Sequence, residues 1–134
     1  MPFIRTALPQ NTPLEKRTAI VNGIHNALVS SIGMPEKELF NLVSEYTAET
    51  FFYSRDFNAI ARSDNLIAIE ITMRRGRSDA MKRELYKQIA ENLQRDAGVS
   101  PKDVFIFTHE NDYSDWSVGN GVFAMNLVQQ LGQD

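Results

Sequence analysis

The chain has 134 residues, which is the usual size of one domain and enough to bury a hydrophobic core of its own. Its formal net charge of −3 argues against a protein that works mainly by neutralising the phosphates of nucleic acids. The sequence has no cysteine and only two histidines, which excludes disulfides, thiolate metal sites and cysteine nucleophiles and leaves too few ligands for a histidine-rich metal site.

The sequence carries no sign of a membrane or secretory segment. No stretch approaches the roughly 20 consecutive apolar residues of a membrane helix. The first residues lack the basic and apolar regions of a secretory signal. We therefore expect a cytoplasmic protein that binds neither membranes nor nucleic acids.

The first predicted unit is a strand, a helix and a second strand. The apolar run Phe3–Leu8 predicts the first strand. Thr-Pro-Leu-Glu at residues 12–15 has the pattern of a capping box with proline at the first helical position. Apolar residues then recur at helical spacing up to Gly33, a residue suited to a left-handed helix end. Leu39–Tyr46 is the second predicted strand.

The second unit repeats this order after an irregular connection, Thr47–Asn65, which is longer than usual. Leu66–Met73 is the clearest strand of the chain. Ser78 is placed to cap a helix that Gly98 would end, and Val104–Thr108 is the closing strand. The helix carries apolar residues at i, i+4 spacing, namely Met81, Leu85, Ile89 and Leu93.

The two units are related by an offset of 65 residues. The clearest match follows each predicted helix, where Gly-Met-Pro-Glu-Lys-Glu-Leu-Phe at residues 33–40 aligns with Gly-Val-Ser-Pro-Lys-Asp-Val-Phe at residues 98–105. The same offset aligns Glu45 with Glu110. Agreement at helix, turn and strand together indicates a duplicated unit.

A single α+β domain spanning residues 1–134 is the fold that this duplication predicts. Because helical connections join parallel strands, units at about 2–46 and 66–109 should form a four-stranded sheet with both helices on one face. The other face would be apolar and uncovered, so we expect it to pack against sister subunits. Residues 114–134 are interpreted as a C-terminal arm that completes an interface or covers a site.

The densest cationic feature is Arg74, Arg75 and Arg77, between the clearest strand and the next helix. Ligands of α/β sheets bind beyond the carboxyl ends of strands, and helix N-termini attract anions. Arginine can bind both oxygens of a carboxylate at once, so these residues are candidates for an anion site. The alternative is a solvated loop whose charges serve solubility alone.

Pro2 is a second candidate, because removal of Met1 would leave it with a free secondary amine. An α-amino group has an ordinary pKa of about 7.7–8, and burial or nearby arginines would lower it into the range of a general base. Alternatively, Pro2 is a starting residue without a chemical role. His25 and His109 have no partner at metal-ligand spacing and are interpreted as structural.

Together, Pro2, the duplication, Arg-Gly-Arg-Ser at residues 75–78 and Asp-Trp-Ser-Val-Gly at residues 115–119 resemble one family. It is the tautomerase superfamily of 4-oxalocrotonate tautomerase and macrophage migration inhibitory factor, and within it the malonate semialdehyde decarboxylase-like group. The similarity runs from Pro2 to about Leu127. It implies a β-α-β-β-α-β chain assembled as a homotrimer, with active sites near subunit boundaries.

The resemblance also implies roles for individual residues. The catalytic amine falls on Pro2 and the acid of the decarboxylase on Glu38. The substrate-binding positions fall on Arg75, Arg77 and Trp116, with Arg74 as a neighbour that could substitute for one arginine. Two residues depart from the pattern: Glu38 stands where the decarboxylase has aspartate, and Val118 stands where it has phenylalanine. Both changes bear on substrate shape.

The main hypothesis is a cofactor-independent enzyme that catalyses keto–enol tautomerisation of small oxo acids with Pro2 as the base. If Pro2 is protonated instead, the same residues fit a decarboxylase of the malonate semialdehyde type. The alternative of another class is a non-catalytic trimeric module, in which the arginines hold an anion and Met1 is never removed.

Overall fold

The computed structural model describes residues 2–124. Its strands and helices are β1 (Phe3–Pro9), α1 (Leu14–Ile32), β2 (Asn41–Tyr46), β3 (Ile67–Arg74), α2 (Asp79–Ala97) and β4 (Val104–Asn111). Within this part of the chain, neither helix is long and apolar enough to cross a membrane. Of the predicted C-terminal arm, residues 125–134 lie outside the described residues.

The strands form one four-stranded sheet in the order β2-β1-β3-β4. Within each unit the two strands run parallel, β1 with β2 and β3 with β4, as helical connections require. The units join where β1 pairs antiparallel with β3, with Ile4 opposite Ile71 and Thr6 opposite Ile69. The predicted fold class, a duplicated β-α-β unit with two helices on one face of the sheet, is confirmed.

One hydrophobic core lies between the sheet and the helices. Alternate residues of the two central strands point into it, among them Ile4, Leu8, Ile67, Ile69, Ile71 and Met73. The predicted stripe of α2 contributes Leu85, Ile89 and Leu93, which are fully buried, and Met81, which is partly buried. Burial of one such side chain stabilises a fold by about 1.5–3 kcal/mol before the cost in entropy is counted.

The 65-residue offset is kept at the ends of the helices. Both α1 and α2 have 19 residues. Each is followed by a glycine in the left-handed conformation, Gly33 with φ of 70° and Gly98 with φ of 66°. Side chains are strained at such angles, which is why glycine ends both helices as predicted.

An ion pair is also duplicated. Arg17 Nη2 lies 3.5 Å from Glu45 Oε2 in the first unit, and Lys82 Nζ lies 3.2 Å from Glu110 Oε2 in the second. In each unit a base in the first turn of the helix contacts an acid near the end of the second strand. The glutamates that the sequence aligned therefore make equivalent contacts in the two units.

The capping box predicted at the start of α1 was wrong. The helix begins at Leu14, so its N-cap position is Pro13, and Thr12 lies one residue too early to cap it; the Thr12 hydroxyl instead donates to the carbonyl oxygen of Pro9. Pro13 precedes the helix, and its carbonyl oxygen accepts from the backbone N–H of Arg17. The cap predicted for α2 is confirmed, because Ser78 Oγ accepts from the backbone N–H of Met81 at 3.1 Å.

The last strand is longer than predicted. It continues from Thr108 to Asn111 because its ladder with β3 extends to the end of that strand. His109 therefore lies inside β4, where its Nε2 is 2.8 Å from Glu70 Oε2. His25 sits on α1, with Nε2 at 2.9 Å from the carbonyl oxygen of Glu36.

The sheet face opposite the helices is only partly covered within residues 2–124, where Phe51 and Tyr53 of the connection after β2 pack on Tyr46. Leu42, Phe105 and Phe107 are large apolar residues on this face and are 41–54% exposed. The face is mixed rather than wholly apolar, because Glu70 and His109 also lie on it. Exposed apolar area of this kind is typical of a surface that another chain covers.

Candidate active site

One edge of the sheet brings together parts of the chain that are remote in sequence. Because β1 and β3 are antiparallel, the start of β1 lies beside the end of β3, and Phe3 pairs with Thr72. Strand β4 runs parallel to β3 and ends at the same edge, with Asn111 opposite Arg74. Pro2, directly before β1, therefore lies at the edge where β3 and β4 end.

A cavity of about 380 Å³ opens at this edge. Its lining residues are Pro2, Phe3, Glu38, Phe40, Trp116, Ser117 and Val118. The lining is mostly apolar, Pro2 is buried, and Glu38 is the one acidic or basic side chain that lines the cavity within the described part of the chain. The volume lies in the range of small-molecule pockets, about 300–1,000 Å³. Three residues predicted from the sequence, Pro2, Glu38 and Trp116, thus share one cavity.

Main-chain hydrogen bonds hold the turn after α1 against β1. The N–H of Glu38 donates to the carbonyl oxygen of Pro35 at 3.0 Å, which closes the turn. The N–H of Ile4 donates to the carbonyl oxygen of Phe40 at 2.9 Å. Since Ile4 is two residues from Pro2, this bond brings Glu38 and Phe40 beside the start of the first strand.

The carboxylate of Glu38 differs in its contacts from its counterpart in the second unit, Asp103. Asp103 is buried, and its two oxygens accept from the N–H of Ser63 at 2.8 Å and the hydroxyl of Ser63 at 2.6 Å. Glu38 is partly buried, and its carboxylate has no hydrogen-bond or ion-pair partner among residues 2–124. The repeat therefore uses one acid to fix the connection between the units and leaves the other facing the cavity.

Trp116 forms a wall of the cavity and is held at its polar tip. Its Nε1–H donates to Asn111 Oδ1 at 2.8 Å. Its carbonyl oxygen accepts from the N–H of Ala124 at 3.1 Å, and Ala124 is fully buried. Trp116 is thus held through its indole by the end of β4 and through its main chain by the segment that follows it.

The three candidate arginines lie at the same edge of the sheet but do not line the cavity within the described residues. Arg75 Nε donates to Asp112 Oδ1 at 2.9 Å, and both side chains are about 60% exposed. The hydrogen bond that Arg75 donates to Asp112, together with the negative charge of Asp112, raises the pKa of Arg75, which stays charged. Arg77 Nη1 donates to the carbonyl oxygen of Arg74, and the Arg74 guanidinium lies 5.2 Å from the ring centre of Tyr113.

Reasoning from the sequence did not identify Phe3 and Phe40 as cavity residues. Phe40 entered the sequence comparison only because it aligns with Phe105 in the repeat. Its position two residues after Glu38 is the signal that would have found it, and Phe3 directly follows Pro2. The same stretch of the chain, residues 2–124, has no group of three or more histidine, aspartate or glutamate side chains that could hold a metal ion.

Comparison with known proteins places the chain in a family. The sequence profile of a family described as "Tautomerase enzyme" matches residues 38–119, and a second profile with the same description matches residues 2–54. The chain belongs to the tautomerase family. A curated relative, "Probable tautomerase YusQ" of Bacillus subtilis (strain 168), is 32% identical over 121 residues, covering 90% of this chain and 95% of that protein.

Solved structures agree with this membership. The structure of FG41 malonate semialdehyde decarboxylase inhibited by 3-bromopropiolate has a TM-score of 0.89 to this tautomerase-family chain at 28% identity, covering 98% of this chain and 99% of that one. A symmetric trimer of wild-type fused 4-OT has a TM-score of 0.77 at 22% identity, covering 92% and 96%, and shows the same fold. The expected resemblance to the malonate semialdehyde decarboxylase-like group is therefore confirmed.

Proposed function

We propose that this chain is a cofactor-independent tautomerase of small oxo acids, with Pro2 as its catalytic amine after removal of Met1. The observation that carries the proposal is the position of Pro2, buried in a mostly apolar cavity beside Trp116 and Glu38. The name of the curated relative, a probable tautomerase, supports the reaction type.

A buried secondary amine suits this chemistry. The ordinary pKa of an α-amino group is already close to neutral pH, at about 7.7–8. An apolar lining disfavours the charged form of an amine and so favours the free base. A group that is uncharged near neutral pH can both accept and return a proton, as general acid–base catalysis requires.

The proposed reaction moves one proton and consumes nothing. With phenylenolpyruvate as substrate, the nitrogen of Pro2 takes the proton of the 2-hydroxyl group and the electron pair of that O–H bond forms the carbonyl. The double bond between C2 and C3 opens, and C3 takes the proton back from the ammonium. The apolar walls Phe40 and Trp116 would contact the aromatic ring.

Arg75 and Arg77 are proposed to bind the substrate carboxylate, with Arg74 as their neighbour. Arginine is suited to this because its planar guanidinium can donate to both carboxylate oxygens. The positive charge would also stabilise the enolate that forms during proton transfer. Support comes from their place on the turn after β3, at the edge of the sheet where Pro2 lies.

We further propose that the protein works as a homotrimer. The exposed apolar side chains on the sheet face opposite the helices, Leu42, Phe105 and Phe107, support this, and so does the trimeric state of the fused 4-OT relative. Within residues 2–124 the cavity is open on the side of Phe40 and Val118, which are 53% and 49% exposed, so a second subunit has room to close it.

Sedimentation equilibrium should give three times the mass of the chain, and a stable monomer would contradict the assembly.

Decarboxylation of malonate semialdehyde is the second candidate, and the presence of Glu38 in the cavity favours it. A carboxylate near an amine favours the charged form of that amine. A charged Pro2 would polarise the C3 carbonyl, so that the bond between C1 and C2 breaks, carbon dioxide leaves and C2 takes a proton. The structural relative FG41 malonate semialdehyde decarboxylase supports this candidate.

Replacement of Pro2 tests the proposed catalytic amine. We expect Pro2→Ala to lower kcat/KM for phenylenolpyruvate by about 100-fold, because the primary amine of alanine rotates freely whereas the proline ring holds the secondary amine in place, and a positioned acid–base group contributes about 100-fold or more. Both phenylenolpyruvate and malonate semialdehyde are assayed, so the ratio of rates separates the two candidate reactions. Pro13→Ala is the matched control, because Pro13 lies outside the cavity and should leave both rates unchanged.

Intact mass gives a second readout on the same residue. The protein should lack Met1, and 3-bromopropiolate, which inhibits the FG41 relative, should add to the peptide that begins with Pro2. Equal rates for Pro2→Ala and the wild type on every substrate would rule out the proline mechanism. A retained Met1 would instead favour the non-catalytic anion-binding module.

Replacement of Arg75 tests the carboxylate site. Arg75→Ala should raise KM for phenylenolpyruvate by about 10-fold or more, because a charged hydrogen-bonding group to the substrate is lost. Arg95→Ala is the control, since Arg95 makes the same kind of exposed ion pair, 2.9 Å from Asp96, on α2. If Arg75→Ala and Arg95→Ala have the same kinetics, Arg75 does not bind the substrate carboxylate.

A further inference from the structure

Asn111 lies at the edge of the sheet where Pro2 is found, and the proposed reaction gives it no role. It is the last residue of β4, and it lies opposite Arg74 in the sheet. Its side-chain oxygen accepts from Trp116 Nε1 at 2.8 Å, and its backbone oxygen accepts from the N–H of Arg75 at 2.7 Å. Asn111 thus joins Trp116, a wall of the cavity, to the turn that carries Arg75.

The hydrogen bond to Asn111 engages the indole of Trp116 at its polar end. An indole has one polar group, an N–H that only donates. With the backbone of Trp116 held by bonds to Tyr113 and Ala124, the remaining freedom is rotation of the ring. An acceptor on a sheet strand fixes that rotation more firmly than water would, because the strand does not move with the ring.

The first unit shows that the fold itself does not require this arrangement. The 65-residue offset places Tyr46 at the position of Asn111 and Phe51 at the position of Trp116. There the tyrosine hydroxyl donates to the carbonyl oxygen of Leu66 at 2.7 Å, and the two rings pack edge to face at 5.0 Å. Of the two units, the one whose aromatic residue lines the Pro2 cavity carries the asparagine.

We propose that Asn111 is a positioning residue that holds the Trp116 ring against the Pro2 cavity. This rests on the proposed function, because the cavity is taken to bind the substrate. Asn111 itself does not line the cavity. Its loss frees the indole to rotate and opens one wall, which weakens the binding of an aromatic oxo acid while leaving the reacting amine in place.

The chain has a single tryptophan, so its fluorescence reports on Trp116 directly. Asn111→Leu keeps the size of the side chain and removes the acceptor, whereas Asn111→Asp keeps an acceptor oxygen. For Asn111→Leu we expect emission at longer wavelength, stronger quenching by acrylamide, and KM for phenylenolpyruvate raised about 3- to 10-fold with kcat nearly unchanged. Asn111→Asp should keep the wild-type emission and quenching.

Asn92→Leu is the matched control for the loss of an asparagine hydrogen bond. Asn92 Nδ2 donates to the carbonyl oxygen of Gly23 at 2.9 Å, between the two helices and away from the cavity. This variant should lower the unfolding temperature and leave emission, quenching and KM unchanged. Circular dichroism establishes that each variant is folded before it is compared.

A double variant separates positioning from a general loss of stability. In a Trp116→Phe background the ring has no N–H to donate, so adding Asn111→Leu should change KM no further. An equal further rise in KM in that background would overturn the proposal, as would wild-type emission and quenching in Asn111→Leu. If the wild type turns over no oxo acid, the proposed function fails, while the fluorescence comparison still decides whether Asn111 orients Trp116.

Discussion

The antiparallel pairing of β1 with β3 is the constraint on which the candidate site depends. It joins the two β-α-β units in opposite directions, so the start of β1 lies beside the end of β3. Pro2, Arg74 and Asn111 therefore share an edge although they are far apart in the sequence. The buried alternation of isoleucines fixes this register, because a slip by one residue would turn the core side chains outward.

The two units share their backbone architecture, whereas the residues at the cavity differ between them. The helix lengths, the glycine stops and one ion pair are common to both units. The acids at equivalent positions differ. Asp103 accepts two hydrogen bonds from Ser63 and so fixes the connection between the units, whereas Glu38 faces the cavity. The 65-residue offset places Ile67 at the position of Pro2, so the proposed prolyl amine has no counterpart in the second unit.

Features with a local physical cause could be predicted from the sequence. The helix end at Gly33 and the apolar i, i+4 stripe ending at Leu93 depend on a few neighbouring residues. The 65-residue repeat predicted the four-stranded sheet. The capping box failed because the helix begins at Leu14, so that Pro13 and not Thr12 takes the N-cap position. The cavity was predicted only in part, since the contact of Phe40 with the first strand arises from a main-chain bond between distant segments.

The central claim is that Pro2 is an uncharged amine at working pH, and its nitrogen can be observed directly. Nitrogen-15 NMR of protein labelled at proline follows the protonation of Pro2 across the pH range. The account predicts a titrating secondary amine that is mostly free base at pH 7.5. A nitrogen still protonated at pH 7.5 would contradict the tautomerase mechanism and favour decarboxylation, and an amide nitrogen, from a retained Met1, would contradict catalysis by Pro2 altogether.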